Sequence, residues 1–371
     1  MDFYKNIFEA SPYSLNRIDK EQFILPLLHH LTLLHYEQCK PYSRLLDSLY
    51  DIHHTQNFAS LSEVPYFPVQ LFKTGKMQSV RDEEVVKTLT SSATTSQQVS
   101  KIALDKETSM LQTKALVSII TSFIGPKRLP MIILDSKSIF KDRAKFSARG
   151  AGILGFSNFG RDHFYALDEN MDLDLAGLKS YIEKYSDQTI FIFGFTFMIW
   201  QYFYQVLKSS DEYLLLNNAI LLHGGGWKKL QENAVTNTVF KDALSDRSGI
   251  QKVYNYYGMV EQTGSIFMEC DHGFFHAPNF SDILIRDYRD WSCLPDKESG
   301  VLQTLSVLPK SYPGHSLLTE DLGTIQGVDS CCCGRKGTYF SIEGRIPTAE
   351  IRGCSDTHAQ DALISNQVKL I

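Results

Sequence analysis

From Thr189 to Leu207 the chain reads TIFIFGFTFMIWQYFYQVL, nineteen residues without a charge. A fold that left this run in water would forfeit its largest apolar surface. The length is close to that of a spanning helix. Gly194 divides the run, however, and Gln201 and Gln205 interrupt its second half. The pattern predicts a buried strand at Ile190–Phe193 and a helix from Phe197 to about residue 208 packed beneath it, with no membrane span. Further strands are predicted at Met131–Leu134 and Ala219–Leu222, and a helical segment near Lys106–Ile120. Strands alternating with helices of this length imply βαβ units and a parallel sheet.

The flanks read differently. Residues 1 to about 60 carry helical apolar spacing, as in Phe23, Leu27, Leu28, Leu31 and Leu34. Val64-Pro65-Tyr66-Phe67-Pro68-Val69 then makes an extended connector, because neither proline suits a helix interior. Past residue 250, short β segments at Asp282–Arg286, Gly300–Val307 and Tyr339–Ile342 suggest a smaller β-rich lobe. The fold class expected is α/β with that β-rich subdomain appended. Composition narrows the partners. Lys and Arg total 37 against 42 Asp and Glu, a net charge of −5, so nucleic acid has no electrostatic footing here. The first residues carry charges throughout and no apolar core of a signal peptide. Seven cysteines, three of them adjacent, are no disulfide framework and predict a reducing, cytoplasmic setting.

Five segments carry chemistry. Ser91-Ser92-Ala93-Thr94-Thr95-Ser96 reads as a phosphate-wrapping hydroxyl loop or as a solvated surface loop. It is not a P-loop, since no G-x-x-x-x-G-K-[ST] occurs. His223-Gly224-Gly225-Gly226 ends an apolar strand, where bare backbone admits a flat ligand or simply turns tightly. An esterase oxyanion element would need a G-x-S-x-G elbow, and Gly155 to Gly160 is one residue too long for it. Tyr254–Glu261 and Thr319-Glu320-Asp321-Leu322-Gly323, taken singly, are an aromatic segment ending in a carboxylate and a turn. Finally, Cys270 and His276, with Cys331 and Cys333, offer either four ligands for a tetrahedral structural zinc or a set of buried thiols and an ordinary histidine.

In their order, the first four of these segments resemble the large domain of the adenylate-forming superfamily, the acyl-CoA synthetases and phenylacetate-CoA ligase. Gly344-Arg345 through Arg352-Gly353 is similar to the superfamily's hinge, and Cys331-Cys332-Cys333-Gly334-Arg335 to the C-x-C-G-R of the phenylacetate-CoA ligase branch. A closer resemblance, over nearly the whole chain, is to the acyl-protein synthetase family of the bacterial bioluminescence fatty acid reductase complex, whose namesake is the long-chain-fatty-acid–luciferin-component ligase. It rests on Val64–Pro68 with Leu71-Phe72-Lys73, Gly224-Gly225-Gly226-Trp227-Lys228, and Gly353-Cys354-Ser355.

The resemblance implies an ATP-dependent ligase that joins a carboxylic, fatty acid to AMP. Ser91, Ser92, Thr94 and Thr95 would grip the β- and γ-phosphates, and Glu261 would hold Mg²⁺. Gly224, Gly225 and Gly226 would wall the adenine, with Tyr257 and Gly258 beside the nucleotide. Asp321 would take the ribose hydroxyls, and Arg345 and Arg335 ribose or α-phosphate oxygens. Cys354 would carry the acyl group as a thioester, with His358 lowering its pKa, and pass it to a partner reductase or carrier protein. Zinc at Cys270, His276, Cys331 and Cys333 would match some relatives. The implied organisation is a helical segment over 1–75, an α/β nucleotide- and acyl-binding region over 76–250, a β-rich subdomain over 251–353 and a tail over 354–371. Departures are Ala93 and Ser96 for glycines, Val260 for threonine, and Pro347-Thr348 for two aspartates. The sequence ends 18 residues after Gly353, so the superfamily's mobile C-terminal domain with its lysine is expected to be absent, which weighs against a CoA ligase. The alternatives are a CoA or amide ligase and a catalytically silent nucleotide-binding subunit.

Overall fold

The computed structural model describes residues 3–50, 58–91, 99–140, 148–227 and 234–346. Two compact units emerge, one centred on Ile120–Tyr257 and one built from residues up to Ile119 with most of the chain after Gly258.

The first unit holds the uncharged run. Ile190–Phe195 is a strand buried at every position. It lies between Leu129–Ser136 and Ala219–Gly224, parallel to both, with Gly160–Leu167 and Lys252–Tyr257 as the outer strands. Side chains alternate across the sheet, so each face of this strand meets its own core. Ile190 and Ile192 join Leu221, Phe203, Phe240 and Leu244 on one side. On the other, Phe193 stacks on Phe156 with ring centroids 4.4 Å apart. Helices at Ala148–Ser157, Leu175–Lys184 and Asn237–Ser248 connect the strands. Asp174 and Thr236 cap two of them by accepting from the amides of Gly177 and Val239. The predicted helix after Phe197 is present but not regular. A π-helical turn at Ile199–Tyr204 interrupts it, a rare geometry that recurs at functional sites. No helix among the described residues is long and apolar enough to cross a membrane.

The second unit carries the antiparallel strands of the final third, but it takes in the residues up to Ile119 as well and is the larger of the two. Its antiparallel strands run in the order Ser281–Arg286, Ser299–Ser306, Ser316–Val328, Thr338–Arg345 and Phe275–His276. The proline connector contributes Phe67–Pro68, parallel to the long strand through Phe67 and Leu317. Helices Phe3–Glu9, Arg17–Gln38 and Lys40–Leu49 carry the N-terminal apolar pattern. Tyr42 and Phe67 meet Phe72, Ile102, Leu104, Tyr312 and Leu317 in the core.

Two buried polar devices fasten the N-terminal helices. Lys20 reaches Asp282 at 3.1 Å with both side chains almost fully buried. His35 and His315 stack with centroids 5.1 Å apart. His35 bonds Ser79 Oγ at 2.8 Å and the Pro309 carbonyl at 3.1 Å. Because the Thr32 hydroxyl donates to the Leu28 carbonyl, the 3.0 Å contact has His315 Nε2 donating to Thr32. Burial lowers the His35 pKa to about 3 and that of His315 well below its ordinary value, so both rings are neutral. An unfolded histidine titrates near about 6.5. Below that pH the unfolded chain takes up protons that the native chain refuses, so stability falls as pH drops from about 6.5 towards 3. Urea midpoints measured from about pH 7.5 down to about pH 5 are expected to decline steadily. A flat profile would contradict the neutral buried pair.

Candidate active site

Ligands of open α/β sheets sit beyond the carboxyl ends of the strands. At that end, Ala219–Gly224 finishes in the three-glycine turn. A Cβ on Gly224 would come within 2.6 Å of the Tyr256 ring. Gly225 takes φ +80°, and a Cβ there would lie 2.9 Å from Phe195 Cδ1. The turn is thus bare backbone by necessity, against two aromatic rings. The preceding His223 is buried and bonds Thr196 Oγ1 through Nδ1 at 2.9 Å. Tyr257, predicted at the nucleotide, ends the neighbouring strand and is half-buried.

A second group surrounds Glu261, which sits in a short 3-10 turn at Val260–Gln262 and is 6% exposed. Burial pushes its carboxyl above the usual range, against the smaller opposing pulls of the Ser100 hydroxyl and the Lys73 ammonium. The next residue, Gln262, donates from Nε2 to the carbonyls of Thr304 and Gly314 at 3.1 and 2.8 Å, which locks the turn. Ser100 also closes the hydroxyl loop at its base. The Ser91 amide donates to the Ser100 carbonyl at 3.2 Å, and the Ser100 amide to Ser91 Oγ at 3.0 Å. Ser100 thus closes the loop at Ser91 and lies near Glu261, and the sequence pattern did not single it out. Ser92, Thr94 and Thr95 lie outside the described residues.

Asp321 and Arg345 are directly opposed on antiparallel strands. Arg345 Nε lies 3.6 Å from Asp321 Oδ1, the arginine over half exposed and the aspartate mostly covered. The Asp321 amide donates to Thr319 Oγ1 at 3.1 Å, which in turn donates to the Leu302 carbonyl. The two residues predicted to share a ribose are thus brought together. Arg335, by contrast, stacks its guanidinium 5.6 Å from the centre of the Tyr13 ring. Of the four predicted zinc ligands, Cys270 belongs to the first unit and His276, Cys331 and Cys333 to the second, and all but Cys333 are buried. Cys333 Sγ is 3.3 Å from His276 Nε2. Cys354 and His358 fall outside the described residues.

A family model described as acyl-protein synthetase, LuxE, matches residues 2–363. A long-chain-fatty-acid–luciferin-component ligase of Vibrio harveyi is 20% identical over 349 residues, which cover 87% of this chain and 89% of that protein. Its counterpart in Aliivibrio fischeri is 20% identical over 356 residues, covering 94% and 91%. Among solved structures, an open conformation of 2-hydroxyisobutyryl-CoA ligase in complex with 2-HIB-AMP and CoA matches with a TM-score of 0.68 and 15% identity. That match covers 91% of this chain and 72% of the other, and at this identity it is a likeness of fold.

Because Gly225 has both a left-handed backbone and an aromatic ring where a side chain would go, Gly225→Ala is expected to cost about 1–3 kcal/mol. Urea unfolding measures this. A loss below about 0.5 kcal/mol would mean that the turn relaxes freely.

Proposed function

The chain belongs to the acyl-protein synthetase family, and from that premise we propose that it activates a fatty acid with ATP and carries the acyl group on Cys354. The carboxylate attacks the α-phosphorus, the bond to the β-phosphate oxygen breaks and pyrophosphate leaves. The Cys354 thiolate then attacks the acyl carbonyl and AMP departs with the bonding pair. His358, four residues on, lowers the thiol pKa, and a thiol of a reductase or carrier protein takes the acyl group by exchange, the Cys354 thiolate leaving.

The observation that carries this reading is the family match across residues 2–363. The Glu261 environment supports it. A carboxylate that burial makes costly to ionise gains most when a dication shares its site, and hard oxygen ligands suit Mg²⁺. Bound there, Mg²⁺ would neutralise phosphate charge. Ser91, with Ser92, Thr94 and Thr95, would hold the terminal phosphates. Gly224, Gly225 and Gly226 would flank the adenine beside Tyr257 and Gly258, Asp321 would accept the ribose hydroxyls, and Arg345 would answer the phosphate or ribose oxygens. Arg335, stacked on Tyr13, would be the more distant helper. Cys333 and its neighbour His276, with Cys331 and Cys270, are a donor set that suits zinc, which would pin the turn carrying Cys331 and Cys333. A reducing, cytoplasmic setting fits the free thiols at Cys39, Cys293 and Cys332.

Fatty-acid-dependent ATP–pyrophosphate exchange tests the first half-reaction, and a hydroxylamine-labile acyl-enzyme tests the second. Cys354→Ser is expected to keep exchange and lose the thioester, whereas Glu261→Gln is expected to lower exchange about a hundredfold or more. Exchange absent with every acid tried would end the adenylation reading, and a thioester retained in Cys354→Ser would remove that cysteine. For zinc, elemental analysis should find about one ion per chain, reduced in Cys333→Ser, with chelation lowering the melting temperature. Metal-free protein of unchanged melting temperature would dismiss the metal.

A further inference from the structure

Parallel pairing sets Phe195 against Gly224 and Gly194 against His223. That register delivers Thr196, the residue after the strand, to the edge of the glycine turn. Its Oγ1 lies 3.1 Å from the Gly224 carbonyl oxygen and 2.9 Å from His223 Nδ1, and all three residues are buried. A carbonyl only accepts, so the one hydroxyl proton of threonine goes to Gly224. Thr196 must then accept from histidine, which places the imidazole proton on Nδ1 and leaves Nε2 a bare lone pair. Nε2 has no hydrogen-bond partner among the described residues. Burial drives the His223 pKa down to about 3, in keeping with a neutral ring. The ring packs on Phe240 at 4.7 Å, which holds it in place.

We propose that Thr196 and His223 are positioning residues for nucleotide binding: a tautomer-locked chain, His223 Nδ1–H to Thr196 to the Gly224 carbonyl, fixes the direction in which the Gly224–Gly226 backbone faces its ligand. Gly225 and Gly226 have φ of +80° and +62°, so the chain reverses immediately after the clamped carbonyl. A rotation of the Gly224 peptide would be passed directly to the two that follow. Neither side chain need touch ATP. The inference rests on the reading of this turn as the adenine wall, but its first consequence, the tautomer, does not.

Two measurements on the full chain separate the parts. Nitrogen-15 NMR of histidine-labelled protein should give His223 as the Nδ1–H tautomer in wild type, and should lose that fixed signature in Thr196→Val. A wild-type Nε2–H tautomer would overturn the clamp outright. In ATP–pyrophosphate exchange, Thr196→Val should raise KM for ATP about three- to tenfold, with kcat and the KM for the acid changed less than twofold. Thr196→Ser, which keeps the hydroxyl, should restore the wild-type KM. An unchanged ATP KM in folded Thr196→Val overturns the positioning role while leaving adenylation intact. Loss of kcat, KM and melting temperature together, without rescue by serine, reduces Thr196 to a packing residue and also overturns it. A wild type inactive with every acid removes the nucleotide reading and this role with it, whatever the tautomer.

Discussion

The fold around the glycine turn depends on one constraint: a strand with no polar side chain must be covered on both faces. Ile190–Phe195 achieves this by pairing in parallel with a neighbour on each side and by presenting isoleucines to one core and phenylalanines to the other. A one-residue slip would exchange the two faces, so the register is strongly specified. Everything at the carboxyl end of the sheet inherits that precision. Gly224 and Gly225 fall where Tyr256 and Phe195 leave no room for a side chain, and Thr196 falls beside the carbonyl it holds. Catalytic groups in such a site need not be numerous if the backbone itself is aimed.

Glu261 shows the opposite strategy. It is buried at a cost, with a raised pKa, on a turn that Gln262 ties to two carbonyls. A carboxylate held in that way is poorly stabilised by the protein alone and better stabilised by a cation. Ser100, whose amide and carbonyl close the base of the hydroxyl loop at Ser91, lies near Glu261 in the same unit.

Much of the architecture was legible because strong patterns carried it. The apolar strands, the N-terminal helices and the β-rich final third all follow from periodicity and turn residues. The π-helical turn at Ile199–Tyr204 was not legible, since an uncharged segment whose one exposed residue is Gln201 has too narrow a polar face to reveal its phase. The strand at Ile190 runs on through Gly194 and Phe195 because those residues find partners in His223 and Gly224, a fact of register rather than of composition. For the same reason His223 was weighed only with its glycines, and Thr196 not at all. Lys73 was noticed as part of a motif, but its charge faces Glu261 from a segment far away in sequence. The contact of Cys333 with His276 was legible because each belongs to a local spacing, C-x-C or C-x₅-H, that offers metal-ligand residue types.

The Lys20–Asp282 pair has a consequence for how the molecule is made. An ammonium and a carboxylate sealed from water, one on an N-terminal helix and one on a β-strand of the final third, cannot tolerate each other's absence. While the chain is being synthesised, Lys20 waits for more than two-thirds of the sequence to emerge before its counter-charge exists. The β-rich unit therefore cannot mature in the order of translation: the helix Arg17–Gln38 finds its buried partner only once the strand Ser281–Arg286 has been made.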